Sequence, residues 1–183
     1  LPFGTGASLA VSRAGKVQTW AVGKAYPDGP AVTAETRFSV QSVSKLLTAA
    51  RVVSLAHAGK LSLDDSASKH LPGVKLADAA GKDRSAEITV RQLLMHRSGL
   101  GHLGPFKQWL KDKIDFRSPA FFATVTKSLT LTLQRDPGQH GYSNMGYAML
   151  GAIVEKVSGC SFADCMTPYL ASLQMKGATF LAD

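Results

Sequence analysis

The sequence predicts a folded domain in which strands come first and helices dominate the rest. Residues 7–23 form two strand-like runs around a turn, and residues 42–58 and 145–157 carry apolar residues at helical spacing. The 183 residues are 45% hydrophobic and 19% charged, a globular composition on a chain long enough for a core.

Each element has a local reason. Residues 7–12 suit a strand, Arg13-Ala14-Gly15-Lys16 a turn and residues 17–23 a second strand, so the segment reads as a hairpin. Pro27-Asp28-Gly29-Pro30 marks a loop. A helix is expected over 42–58, with Val43, Leu46, Leu47, Ala50 and Val53 or Ser54 at helical spacing and Gly59 in the left-handed position that ends it. Residues 61–87 read mostly as loop and short turns, broken at Leu71-Pro72-Gly73. Thr89 is the expected N-cap of a short helix over 90–96, stopped by Ser98-Gly99. Residues 119–129 read as a helix with Pro119 in its first turn, and Asp136-Pro137-Gly138 as a turn. A helix over 145–157 sets Tyr147, Leu150, Val154 and Val157 on one stripe, with Gly159 closing it, and a last helix covers 162–172. A two-stranded hairpin is marginal alone, so further strands should pair with it, and the remaining sequence offers few candidates.

The net charge is +8, but the basic residues are scattered and not interleaved with aromatics. A solvated basic surface is expected, with no nucleic-acid partner. Cys160 and Cys165 are read as lying on one helix, too far apart to bridge without a bend, so two free packed thiols are expected. Neither has the neighbouring Cys or His pair of a zinc site, and the histidines show no ligand spacing, so no metal is expected. No apolar run is long enough to span a bilayer. The first residues show no signal-peptide pattern, and Leu1-Pro2-Phe3 reads as an expression boundary.

Two short elements can carry chemistry. Ser42-Val43-Ser44-Lys45 is a Ser-x-x-Lys element at a helix start. Residues three apart share a helix face, so the Lys45 side chain lies beside the Ser42 hydroxyl. A serine hydroxyl needs a base to become a nucleophile, and a buried lysine can serve as that base or as a relay. Tyr142-Ser143-Asn144 is a Tyr-x-Asn element after the Pro137-Gly138 turn. A phenolate near a lysine can take the serine proton or pass it to a leaving group. An asparagine amide can hydrogen-bond lysine and substrate together. Alone, each element also reads blandly, as a chance serine–lysine pair or as a core tyrosine with a capping asparagine.

Together, in this order, they resemble a known family. Thr36-Arg37-Phe38-Ser39-Val40-Gln41-Ser42-Val43-Ser44-Lys45 is similar to the active-site segment of class C β-lactamases and their relatives, the D-alanyl-D-alanine carboxypeptidases, D-aminopeptidases and β-lactamase-like esterases. Leu61-Ser62-Leu63-Asp64-Asp65 resembles the segment after that helix. Ile88-Thr89-Val90-Arg91-Gln92-Leu93-Leu94-Met95-His96-Arg97-Ser98-Gly99-Leu100 resembles a Leu-Leu-x-His-x-Ser-Gly-Leu stretch of the family. Pro137-Gly138, Tyr142-Ser143-Asn144 and Gly146-Tyr147 match another stretch, and Ser172-Leu173-Gln174-Met175 resembles Pro-Leu-Gly-Met with two departures. The likeness runs along nearly the whole chain. It implies an α+β, β-lactamase/transpeptidase-like fold, with an antiparallel sheet flanked by helices beside a mostly helical region and the active site between them. It implies Ser42 as acylated nucleophile, Lys45 as its proton partner and Tyr142 as general base or acid. It also implies Asn144 as polar orienter and Gln41 beside the nucleophile as substrate-binding residues, with no cofactor and a periplasmic or secreted location. His96 is expected to cap or pack under the active-site loop rather than act as a base. Asp64 and Asp65 are expected in turns and caps, and Trp20 and Trp109 in ordinary packing.

One family element has no counterpart here. A Lys-Thr-Gly or His-x-Gly strand near the C-terminal end lines the pocket in the family and supplies one oxyanion N–H, the nucleophile supplying the other. His57-Ala58-Gly59 and His102-Leu103-Gly104 fit the letters but precede Tyr142, and read as coincidences. Losing one oxyanion donor costs roughly a hundred- to a thousand-fold in rate. Residues 1–183 are therefore expected to be the N-terminal portion of a single β-lactamase-like domain lacking its C-terminal strands, with a second chain or segment completing the fold. The expected function is hydrolysis of an amide or ester (a β-lactam, a D-alanyl peptide or a simple ester) through an acyl-enzyme. The alternative is a non-catalytic penicillin-binding or scaffold member of the same fold.

Overall fold

A computed structural model describes residues 6–102, 129–175 and 177–180. The chain divides into two compact units, Leu1–Val40 and Gln41–Asp183.

The first unit is the expected hairpin. Strands β1 (Gly6–Arg13) and β2 (Lys16–Gly23) pair antiparallel, with Leu9 opposite Trp20 and Arg13 opposite Lys16. The turn residues Ala14 and Gly15 both have positive φ (49° and 76°), the pattern that matches the right-handed twist of paired strands. After β2 the chain folds back, with Val32 N–H donating to Gly23 O at 2.9 Å. Val32 is buried against Gly6, where a Cβ would run into Val32 Cγ2 and sit 2.6 Å from Lys24 O. Leu9, Val11, Trp20 and Val22 share one face by register and are exposed. Among the described residues, this sheet has two strands.

The second unit is mainly helical. A 3-10 turn, Gln41–Val43, leads into α1 (Ser44–His57), which Gly59 follows at φ 69°. Then come α2 (Ala67–His70), β3 (Val74–Ala77), α3 (Val90–Leu94), β4 (Leu129–Thr132), α4 (Asn144–Ser158) and α5 (Phe162–Ser172). Helix α4 packs against α1, α3 and α5. The reason is its sequence: Met145, Met149, Leu150, Ile153 and Val154 are all buried. They meet Val52 and Leu55 of α1, Val90 and Leu93 of α3 and Cys165 of α5 in one apolar cluster. Each such large buried side chain contributes on the order of 2 kcal/mol through surface removed from water. Gly159 ends α4 at φ 72°.

Local chemistry fixes the shorter pieces. Thr89 caps α3 through a reciprocal box, its Oγ1 accepting from Gln92 N–H at 3.2 Å while Gln92 Oε1 accepts from Thr89 N–H at 2.9 Å. Val90 N–H donates to Asp65 O at 3.0 Å and Arg91 N–H to Leu63 O at 2.8 Å, tying the 62–66 turn to the start of α3. As expected, the two aspartates work in turns. The Asp65 carboxylate accepts from Ser62 N–H (2.9 Å), Lys69 Nζ (2.6 Å) and His70 Nε2 (2.9 Å), and Asp64 pairs with Arg91.

Residues 61–87 are mostly loop and short turns, as expected, with α2 and the short strand β3 set among them; β3 pairs in parallel with β4, Val74 opposite Leu129. Of the helix expected over 119–129, residues 119–128 lie outside the described residues, as does Trp109, and Leu129 begins β4. The expected free thiols are instead a disulfide, Cys160–Cys165. Cys160 lies in the turn between α4 and α5, ahead of the N-cap Ser161, so the two are not on one helix. The bend brings their Cα atoms to 5.6 Å, within bridging reach.

Candidate functional site

Ser42, Lys45, Tyr142 and Asn144 all belong to the second unit, and the fold brings the first three into contact. Ser42 sits in the 3-10 turn rather than in α1 itself. Val43 already has helical backbone angles, φ −61° and ψ −27°, so the turn runs into the helix without a break. Residues three apart share a face across this junction of turn and helix, which sets Lys45, in the first turn of α1, beside Ser42. Lys45 Nζ donates to Ser42 Oγ at 3.3 Å. On the other side, Ser42 Oγ and Tyr142 Oη lie 2.7 Å apart, a bond in which either hydroxyl can donate, made across 100 residues of sequence. Gln41, beside the nucleophile position, is exposed and has φ 47°.

Tyr142 is held by its backbone neighbours. Gly141 N–H donates to His96 O at 2.8 Å, and Ser143 N–H donates to His96 Nδ1 at 3.1 Å. Ser143 Oγ donates to Gly101 O at 2.9 Å and accepts from Gly146 N–H at 2.9 Å, which makes Ser143 the N-cap of α4. Asn144 N–H donates to His102 O at 3.0 Å. The Tyr-x-Asn element thus runs from an extended segment, residues 141–143, into the first residue of α4 and lies against residues 96–102. The cap of α4 is Ser143, wholly buried, and not Asn144, the capping asparagine of the bland reading. The available signal was a serine directly before an apolar helical run.

Rings surround the tyrosine. The His96 ring lies 4.6 Å from the Tyr142 ring and 5.0 Å from that of Tyr147, and His102 lies 5.3 Å from Tyr142. His96 therefore packs under the site, as expected, and also accepts a hydrogen bond from it. Lys45 Nζ sits 5.1 Å from the Tyr142 ring centre and 5.8 Å from that of Tyr147.

The charges follow from these contacts. Hydrogen bonding to Lys45, and then to Ser42, holds the Tyr142 hydroxyl below the ordinary phenol pKa, against a smaller opposing effect of burial. Burial first, then the charges of Lys45 and His140, keep His96 below the usual histidine value. Burial raises Tyr147, whose hydroxyl donates to Leu94 O at 3.1 Å. So one hydroxyl oxygen, Ser42 Oγ, faces a cation and a phenol biased toward losing its proton. Tyr142 is 40% exposed, which leaves it reachable from solvent. Such a group can deprotonate a serine and return the proton to a leaving group.

The chain matches the family model described as "Beta-lactamase" over residues 4–183. It is 31% identical over 147 residues to "Protein flp" of Staphylococcus aureus (strain MW2), a match covering 79% of this chain and 28% of that protein. Among solved structures, it is similar to a penicillin binding protein from Bacillus halodurans, with 25% identity, a TM-score of 0.76, and coverage of 96% of this chain and 53% of the other. It is also similar to the D-amino acid amidase from Ochrobactrum anthropi SV3, with 25% identity, a TM-score of 0.72, and coverage of 94% and 46%. The chain therefore spans between about a quarter and half of the length of these relatives. Motif order and fold agree with a family model that takes in both the serine–lysine turn and the tyrosine segment, and the chain belongs to the β-lactamase family.

Proposed function

We propose that this chain carries the nucleophile, the lysine and the proton-transferring tyrosine of a serine hydrolase that cleaves amide or ester bonds through an acyl-enzyme on Ser42. The observation that carries the reading is the position of Ser42 Oγ, 2.7 Å from Tyr142 Oη and 3.3 Å from Lys45 Nζ. In this mechanism the Tyr142 phenolate, stabilised by Lys45, takes the Ser42 proton as Oγ attacks the carbonyl carbon. The tetrahedral adduct collapses, the C–N or C–O bond breaks, and Tyr142 gives its proton to the departing nitrogen or oxygen. Tyr142 then takes a proton from water, whose oxygen attacks the acyl carbon, and the acid departs as Ser42 Oγ regains a proton. Asn144, at the start of α4, and Gln41, next to Ser42, are the substrate-binding candidates.

The proposed substrate is a β-lactam, a D-alanyl peptide or an ester. Support comes from structural neighbours that include a D-amino acid amidase and EstCE1, a hydrolase with promiscuous acyltransferase activity. The reading treats residues 1–183 as a portion of one β-lactamase-like domain, in keeping with a single family model over 4–183, and a second chain or segment as the partner that completes it. A periplasmic or secreted location is part of the proposal. The Cys160–Cys165 disulfide supports it, because such bonds persist mainly in oxidising compartments.

The test is intact-mass spectrometry of the full protein after incubation with a penicillin, a cephalosporin and a p-nitrophenyl ester, beside its Ser42→Ala variant. An adduct that requires Ser42 supports the acyl-enzyme, and its lifetime separates hydrolase from penicillin-binding behaviour. Equal labelling of both proteins would refute it, and no labelling of either would favour the non-catalytic alternative.

A further inference from the structure

His96 touches the tyrosine segment in three ways. Its carbonyl accepts from Gly141 N–H at 2.8 Å, the residue before Tyr142. Its Nδ1 accepts from Ser143 N–H at 3.1 Å, the residue after Tyr142. Its ring lies 4.6 Å from the Tyr142 ring at an interplanar angle of 31°. One residue therefore fixes Tyr142 from both backbone neighbours and from one face. The geometry has its own requirement, because His96 has φ 56°, a left-handed conformation uncommon outside glycine, asparagine, aspartate and histidine.

A backbone amide can only donate, so the contact with Ser143 requires an unprotonated Nδ1. Its proton, in the neutral ring, is on Nε2. Protonating the ring would set an Nδ1–H against the Ser143 N–H, two donors facing each other. It would also place a second cation near Lys45. Resting on the hydrolase reading above, we propose that His96 is a positioning residue for Tyr142: its neutral imidazole holds the tyrosine hydroxyl in reach of Ser42, and protonation releases that hold and switches the site off in acid.

The groups facing His96 agree. Lys45 comes from α1, His140 from the loop before Tyr142 with its ring centre 6.3 Å away, Tyr142 from the segment that opens into α4 and Tyr147 from the first turn of α4. His102 lies beyond Tyr142, against its ring. None of these is a carboxylate that would favour the imidazolium, and burial with the charges of Lys45 and His140 holds the ring below the usual histidine pKa. The site would therefore stay assembled through neutral pH and come apart only in acid.

The test is the rate of Ser42 acylation against pH in the full protein, for wild type, His96→Ala and His96→Asn. Asparagine can place an acceptor near the Nδ1 position, tolerates positive φ and does not titrate. Loss of the Tyr142 base alone gives a rate falling about tenfold per pH unit; a second proton taken up by His96 steepens this to about a hundredfold per unit below its pKa. Wild type is expected to show the steeper limb and His96→Asn only the shallow one. His96→Ala is expected to lose about a hundredfold in acylation rate at neutral pH, since misplacing a reacting group by about 1 Å costs that much, and His96→Asn to recover most of it. Nitrogen-15 NMR of labelled histidine should show unprotonated Nδ1 at neutral pH, with the Ser143 amide resonance moving at the same midpoint as the ring. A His96→Asn profile that keeps the steep limb, or a ring protonated at Nδ1 at neutral pH, overturns the positioning role while leaving the hydrolase reading intact. No Ser42-dependent acylation in wild type sinks the hydrolase reading and this proposal together.

Discussion

Replacing Tyr142 by phenylalanine removes one oxygen and leaves the ring that packs on His96 at 4.6 Å and His102 at 5.3 Å. Lys45 keeps its donation to Ser42 Oγ, so the serine loses only its 2.7 Å partner. If Tyr142 is the base, its loss costs the general-base contribution, about a hundred- to ten-thousand-fold in acylation rate. That is about 3 to 5 kcal/mol of barrier. The pH profile adds a direction. Wild-type acylation should rise with pH and level off through the Tyr142 pKa, at a midpoint below the ordinary phenol value because Lys45 stabilises the phenolate. This limb should vanish in Tyr142→Phe. It should move upward in Lys45→Met, because Lys45 is the largest cause of the lowering. Time-resolved intact-mass measurement of the Ser42 adduct, from pH 5 to about 10, reads both effects. A Tyr142→Phe rate within about threefold of wild type, or an unchanged alkaline limb, would refute the assignment of Tyr142 as base.

Three further outcomes follow from the packing. Asp65 is held at a pKa of about 2 by hydrogen bonds from Lys69, Ser62 N–H and His70. Its folded pKa is depressed, so its contribution is present above the unfolded value near 4 and is lost as pH falls toward 2; Asp65→Asn should cost about 1 to 2 kcal/mol at neutral pH, discounted for the exposed Lys69 partner, and flatten denaturation midpoints across that window. Gly6→Ala drives a Cβ into Val32 and the carbonyl of Lys24, and should destabilise the hairpin by about 1 to 3 kcal/mol, read as faster amide exchange in β1 and β2. Reducing Cys160–Cys165, or replacing both by alanine, should lower the denaturation free energy by about 2 kcal/mol, the chain-entropy value for so short a loop.

Long, periodic or strongly punctuated elements were legible in the sequence. The hairpin around Ala14-Gly15, the Thr89 cap, the α4 stripe and the glycine stop at Gly159 each carry a local signal that tertiary structure had no reason to override. Strands β3 and β4 were not legible, because four residues such as Val-Lys-Leu-Ala are too few to establish a period, and their partner lies far along the chain. The disulfide is hidden when Cys160 is placed on a helix, and the helix stop at Gly159 supplies the bend that allows it. For the site, residue types and order pointed to Ser42, Lys45 and Tyr142 together. The clamp by His96 was hidden because it depends on a backbone amide and a left-handed residue, neither of which has a letter in the sequence.

The contact between Ser42 and Tyr142 also orders what is lost first on denaturation. Ser42 and Lys45 lie on one turn and survive as long as that turn does. Tyr142 reaches them only when residues 141–144 lie against residues 96–102. That pairing joins loop segments far apart in sequence and anchored on buried Ser143 and Leu100, so it depends on tertiary packing, which can be lost while helical turns persist. Under rising denaturant, acylation should fade while the helical signal of α1 and α4 is still intact, so the reacting serine reports on topology sooner than any spectroscopic measure of helix content.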